Sequence, residues 1–171
     1  VHAGETREDP LALSTAAVSG AHRRAYLPAR IYDPDAARAA GVRIGDYDGL
    51  LLVVELSEDL AGRLDFRIVD EIPIGYGASG VRVLPPRAGK RDVVVALAAD
   101  DGVLWIYDDE TGARVAIGRS PATGAPLVGH GPSGVAVDPV PLSGSAGDVA
   151  RVFVGSFREN FVTPIDVPLD A

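Results

Sequence analysis

The sequence predicts an all-β fold built from repeated four-stranded antiparallel modules, and three observations carry that prediction. The segment Gly75-Tyr76-Gly77-Ala78-Ser79-Gly80-Val81-Arg82-Val83-Leu84-Pro85 returns as Gly129-His130-Gly131-Pro132-Ser133-Gly134-Val135-Ala136-Val137-Asp138-Pro139, with glycines, Ser-Gly, both valines and the proline in register at an offset of 54. A repeat at that spacing signals a modular array. A second echo, Asp48-Gly49 ahead of an apolar run and Asp101-Gly102 ahead of another, recurs at an offset of 53. Helical periodicity is nowhere sustained, which disfavours helical repeats of similar length.

Composition agrees with a folded β protein. Hydrophobic residues make up 47% of the 171 and charged ones 23%, so the chain can bury a core. Twenty glycines and 13 prolines suit many short strands and turns. The absence of cysteine excludes disulfides, thiol catalysis and thiolate metal sites. A net charge of −8 disfavours nonspecific nucleic-acid binding, which needs clustered cations. The longest apolar runs, near 50–54 and 93–99, fall far short of the roughly 20 residues that span a bilayer. The chain begins at Val1 without a basic-then-apolar signal segment, and its amino end is read as processed or truncated.

Along the chain, 25–32, 50–56 and 64–74 read as strands, the last with alternating Phe66 and Ile68. Between the first two lies an inserted loop, 33–48, with an Asp-Pro and an Ala-rich run fit for a turn or two of helix. Four short runs follow at 81–84, 93–98, 103–107 and 114–117, separated by Pro-Pro, Asp-Asp-Gly and Glu-Thr-Gly. Each Asp-Gly supplies the tight turn that launches the third strand of its module. A further module opens at 135–137, continues at 152–157 after a Gly-Ser-rich bulge at 143–147, and reaches 161–167, one strand short of four. An amino-terminal segment near 11–15 or Val18 is a candidate to supply that strand by pairing with 161–167.

These residues resemble the YVTN-type β-propeller repeats. The glycine-led segment 129–139, the strand Val152-Phe153-Val154-Gly155-Ser156 and Ile165-Asp166 follow the family pattern, as does Tyr107-Asp108-Asp109-Glu110-Thr111-Gly112 in the preceding module. The likeness covers 75–167. It departs where Val154-Gly155-Ser156 replaces the name-giving tetrapeptide and where 140–148 inserts residues. The resemblance implies a β-propeller-like array of about three blades: a divergent first blade over 1–74, a second over 75–128, and a third over 129–171 lacking its last strand. Propellers close with about four to eight blades, so the array is an incomplete ring or part of a larger propeller. The missing blades would come from another chain, a symmetry mate or a further part of the protein. The family, which includes surface, cell-wall and redox proteins with lactonases similar, implies architecture more than reaction.

Chemical motifs are sparse. Gly75-x-Gly77-x-x-Gly80 and its copy satisfy a dinucleotide fingerprint literally, but alternating Val-x-Val follows each where a pyrophosphate-binding helix would have to start. They read as loops entering an inner strand. If the family arrangement holds, Tyr76 and His130, at matching positions of the two copies, share one face with the loops at Asp100-Asp101 and Arg158-Glu159-Asn160, forming a polar rim for a ligand or partner. Packing between neighbouring blades is the plainer role for Tyr76 and His130. The acidic groups Asp46/Asp48, Asp100/Asp101 and Asp108/Asp109/Glu110 lack EF-hand spacing and read as turn initiators, and the three scattered histidines make no metal triad. Ser79 and Ser133 do not sit in Gly-x-Ser-x-Gly. Trp105 and Tyr107, on one face of a strand, read as packing between blades.

The expectation is a noncatalytic binding or structural module, without cofactor, metal or membrane span, that presents loops to a protein partner in an extracytoplasmic assembly. One alternative is a lactonase-like or redox propeller enzyme acting at the central channel through His130 and Asp100/Asp101. Another is a self-assembling structural protein that recruits copies through unpaired strand edges.

Overall fold

The computed structural model describes residues 11–13, 15–19, 21–31, 39, 49–59, 61–120, 122–129, 131–144, 147–156 and 158–169. The described elements are strands, arranged in three antiparallel sheets that follow one another along the chain. The first contains β1 (Leu11–Leu13), β2 (Ala17–Ser19), β3 (Arg24–Ile31), β4 (Gly49–Glu58) and β5 (Leu64–Gly75). The second contains β6 (Ala78–Val83), β7 (Val93–Ala98), β8 (Val103–Asp108) and β9 (Arg114–Ile117) in simple sequence order. The third contains β10 (Pro132–Val137), β11 (Leu142–Gly144), β12 (Gly147–Ser156) and β13 (Phe161–Pro168).

All three sheets share one plan. In the first, β1 and β2 lie end to end along one edge of β3, with Leu13 opposite Ala29 and Ala17 opposite Tyr26, so together they act as one interrupted strand. In the third, β10 and β11 divide the edge of β12 in the same way. Each sheet thus runs first strand, second, third; the first and second sheets add a fourth, β5 and β9, and β13 carries none among the described residues. The glycines of the Asp-Gly echo fall at the start of the third strand in both complete sheets, β4 and β8; Gly102 (φ 65) makes the expected turn, whereas Gly49 is a paired strand residue and Asp48 lies outside the described residues.

Two expectations are corrected. The amino-terminal segment pairs with β3 and not with 161–167. The β2–β3 hairpin needs only a short connection, with Arg23 at φ 51 in the turn 21–23, whereas pairing with β13 would close a loop of well over a hundred residues at higher entropy cost. Of the Gly-Ser-rich segment at 143–147, the described residues Ser143, Gly144 and Gly147 are not a bulge but paired strand residues, with Ser143 opposite Asp148 and Gly144 opposite Gly147. Of the inserted loop 33–48, only Ala39 lies within the described residues.

The sheets stack face to face. Strand alternation turns Tyr26, Leu51, Val53, Ile72 and Ile74 of the first sheet onto Ala78, Val81, Val94, Ala96 and Tyr107 of the second. The opposite face of the second sheet offers Val93, Val95, Leu97 and Leu104 to Val135, Ala150, Val152 and Val154 of the third. Because both its faces are covered, β7 is buried along its whole length and reads as the unbroken apolar run VVVALA. The first sheet is also buried on its far side, through Ala25, Ala29, Leu50, Leu52 and Val54.

Candidate functional site

The glycine-led echo has one structural cause, visible twice. Leaving β5, the chain turns through Gly75 (φ 94) and Gly77 (φ 74) and lays this loop on the β7–β8 turn. The Tyr76 N–H donates to Asp101 Oδ2 at 2.7 Å, Ala99 N–H donates to the Gly77 carbonyl at 2.9 Å, and Asp100 N–H donates to the Tyr76 carbonyl at 3.3 Å. A Cβ on Gly77 would lie 2.6 Å from the Asp100 carboxyl carbon and 2.7 Å from its backbone nitrogen, so only glycine admits the approach. Gly129 and Gly131 of the second copy lie against the β12–β13 turn in the same close way. A Cβ on Gly129 would meet Glu159 Oε2 at 2.8 Å and Phe161 Cζ at 2.9 Å, and one on Gly131 would meet the Arg158 side chain at 3.5 Å.

Between these two locked loops opens a cleft of about 560 Å³, lined by Asp100, Asp101, Arg119, Gly129, Gly131 and Arg158 among others. Of the sequence-predicted rim, Asp100, Asp101 and Arg158 meet at this mouth. Tyr76 is tied to it through its backbone, with its residue surface 45% exposed. Glu159 packs against the Gly129 loop, and Asn160 holds the left-handed position (φ 52) of the β12–β13 turn. His130 lies outside the described residues. One cleft residue and one neighbour of the rim were not expected. Arg119 enters from the segment after β9 and anchors to the Gly124 carbonyl at 3.0 Å. Arg30, at the end of β3, donates to the Ala78 carbonyl at 3.1 Å and reaches Asp100 at 3.9 Å, bringing the first sheet to the rim. Chemically, a mouth with two carboxylates and two guanidiniums can hold a surface of mixed charge by charge-assisted hydrogen bonds.

A second polar cluster is buried between the first and second sheets. Asp92 accepts hydrogen bonds from Ser19 Oγ at 3.0 Å and Tyr26 OH at 2.9 Å, and its Oδ1 lies 3.0 Å from His22 Nδ1. Asp109 pairs with Arg24 at 2.5 Å and meets the hydroxyls of Tyr26 at 3.1 Å and Tyr107 at 3.4 Å. The single Tyr26 hydroxyl hydrogen serves one carboxylate at a time, so its second contact is satisfied only when a carboxyl carries a proton of its own. Burial pushes Asp109 above the usual carboxylate range, against the lowering pull of the Arg24 guanidinium and the Tyr26 hydroxyl. Burial, then the two carboxylates, raises Tyr26 far above an ordinary phenol, and burial with Asp109 and Asp70 pushes Tyr107 up to about 12. Its neighbour Asp108 behaves as the sequence predicts, accepting the Glu110 and Thr111 N–H groups in a turn. Burial opposes its ionisation, but the Arg87 guanidinium and those turn N–H groups outweigh it and hold Asp108 low. Trp105 and Tyr107 pack between these sheets as expected.

Among the described residues no three His, Asp or Glu side chains converge as a metal site would require, and no helix is long and apolar enough to cross a membrane. No protein-family model matches the chain, and no curated protein matches it.

Proposed function

We propose that the chain is a β-propeller segment of the YVTN type that works as a noncatalytic binding or structural module, presenting the mouth between its second and third sheets to a protein partner in an extracytoplasmic assembly. Three consecutive antiparallel sheets stacked face to face, each entered from the loop that leaves the one before, support the propeller reading. The family, and with it the extracytoplasmic setting, rests on the resemblance of the repeat residues. The observation that carries the function is the recurring loop-on-turn packing: the same glycine loop lies on the same turn in successive sheets, hydrogen-bonded in the second and in close contact in the third, with Asp100, Asp101 and Arg158 around an open, mixed-charge cleft. Asp101 is committed to the Tyr76 N–H, which suits a positioning role better than proton transfer.

A photo-crosslinking residue at position 76 or 119, compared with one at position 89, tests the reading in the native host. Specific adducts to one protein from the two rim positions, and none from position 89, are expected. Absence of rim adducts, or turnover of a lactone by the purified chain that Asp101→Asn abolishes without unfolding it, would replace binding with the enzyme reading.

A further inference from the structure

The three sheets can be superposed in register through their second-to-third-strand pairings, with Ala29 opposite Leu50, Ala98 opposite Val103 and Ser156 opposite Phe161. The face that receives the next sheet then carries Arg24 and Tyr26 in the first sheet, Val93 and Val95 in the second, and Arg151 and Phe153 in the third. In the first two sheets that face is covered. In the third it is open: Val162 is 61% exposed, and Arg151 and Asp166 form a bidentate ion pair (2.7 and 2.9 Å) at side-chain exposures of 39% and 49%.

We propose that this face is a self-association surface, on which a second copy of the chain stacks about a two-fold axis running along the strands between β12 and β13. Such an axis lays each β12 over its partner's β13 at the same height. The cross-strand partners therefore become the partners across the interface: Arg151 over Asp166, Phe153 over Pro164, and Gly155 over Val162. The charges are self-complementary and so are the shapes. A Cβ on Gly134 would meet nothing within 4 Å, and one on Gly155 only the Gly134 carbonyl at 3.9 Å, leaving a shallow dent to take the exposed valine.

Two other modes of association are disfavoured. Head-to-tail continuation needs a free rear face, yet the rear faces of the second and third sheets are taken and that of the first is already buried. A second copy can then offer only the same front face, which makes the contact isologous. Edge pairing along β13 is blocked by proline. Leu169 N–H donates to the Asp148 carbonyl, so in the unbroken β12–β13 register the odd residues of β13 bond to β12 and the even ones point outward. Pro164 and Pro168 are even, and Pro164 stands where Ile106 of β8 pairs with Val115 of the fourth strand. Ten residues of β12 by three strands give a face of about 33 by 14 Å, small beside standard interfaces, so association in the micromolar range is expected.

This inference does not depend on the binding role of the cleft, and sedimentation of the purified full chain tests it. A concentration-dependent doubling of mass is expected. Val162→Glu should weaken it by at least about tenfold with an unchanged circular dichroism spectrum, since that side chain is exposed. Arg151→Asp and Asp166→Arg should each weaken association, and the double variant should restore it. A strictly monomeric wild type, a Val162→Glu variant that associates undiminished, or a double variant no better than the singles would overturn the proposal.

Discussion

The interface between the first and second sheets and the one between the second and third use equivalent backbone positions to opposite ends. At the second, Val93, Val95, Leu97 and Leu104 meet Val135, Ala150, Val152, Val154, Val167 and Leu169 without a charged member. At the first, the positions of Val93 and Val95 are filled by Arg24 and Tyr26, which reach Asp109 and Asp92 across the gap. The apolar contact is non-directional and proportional to area, so it contributes free energy while tolerating small slips. The polar contact contributes less net free energy per group but demands one geometry, because any slip strands a buried charge. One junction is therefore held by burial and the other is additionally keyed, with the key sensitive to protons.

The comparison breaks most severely at Arg24. Arg24→Ala leaves the Asp109 carboxylate buried without its cation, and a loss of about 3–5 kcal/mol is expected at neutral pH. Asp109 is already raised above its ordinary value of 3.8, with burial as the main cause, and loss of Arg24 raises it further. The folded state then binds a proton that the unfolded state gives up more readily. Stability that is fully present below 3.8 is lost as pH rises through the folded value, so the deficit of the variant should shrink as pH is lowered towards 4. Urea denaturation of wild type and variant from pH 4 to 8 checks this, and a deficit that is constant across that range would contradict the keyed junction.

Leu97→Ala probes the other junction. Leu97 is fully buried against the third sheet, and truncation should lower stability by about 3 kcal/mol. No titratable side chain belongs to that cluster, so the loss should be the same at every pH in the series.

The contrast also marks where the sequence can be read. Strands β6 to β9 are legible because short apolar runs are cut by glycine, proline and Asp-Gly, and the apolar junction follows from their alternation. The meeting of Asp100, Asp101 and Arg158 at one mouth agrees with the loop placement that the family resemblance implies, while the glycine echo by itself marks only a recurring loop. The keyed junction is not legible. Asp108 and Asp109 look alike in sequence, yet one ends a hairpin in partial exposure and the other is buried only because the first sheet folds over it. Its partners across the junction, Arg24 and Tyr26, lie 85 and 83 residues away, beyond any local pattern. The available signal was an arginine and a tyrosine two apart on one face of β3, at positions filled by valines in β7. Strands β1 and β2 were misplaced because three-residue strands carry too little periodicity to specify a partner.

Tyr26→Phe sharpens the comparison by removing one oxygen without a cavity. Asp92 and Asp109 each lose a contact, at 2.9 and 3.1 Å, and a loss of about 2 kcal/mol is expected. The register-equivalent position in the second sheet, Val95, is apolar already, so Val95→Thr, which adds a hydroxyl within a buried apolar cluster, should destabilise as well. The two substitutions move polarity in opposite directions and should both lower the melting temperature. A neutral Tyr26→Phe would mean that the hydroxyl adds nothing to the key.

The smallest effects separate the two mouths. Gly77 and Gly131 occupy matching positions with φ 74 and 62, so alanine carries left-handed strain of about 1 kcal/mol at either. Around Gly77 the obstacle is the Asp100 backbone nitrogen at 2.7 Å, which cannot yield without opening the turn. Around Gly131 it is the flexible Arg158 stem at 3.5 Å, an ordinary contact. Gly131→Ala should therefore lose about 1 kcal/mol and Gly77→Ala about twice that, read from paired denaturation curves. Equal losses would show that backbone strain alone selects glycine at both positions. Unequal losses would show that close docking on Asp100 makes the mouth of the second sheet the more rigid, leaving the Arg158 side as the part of the rim able to adjust to what it holds.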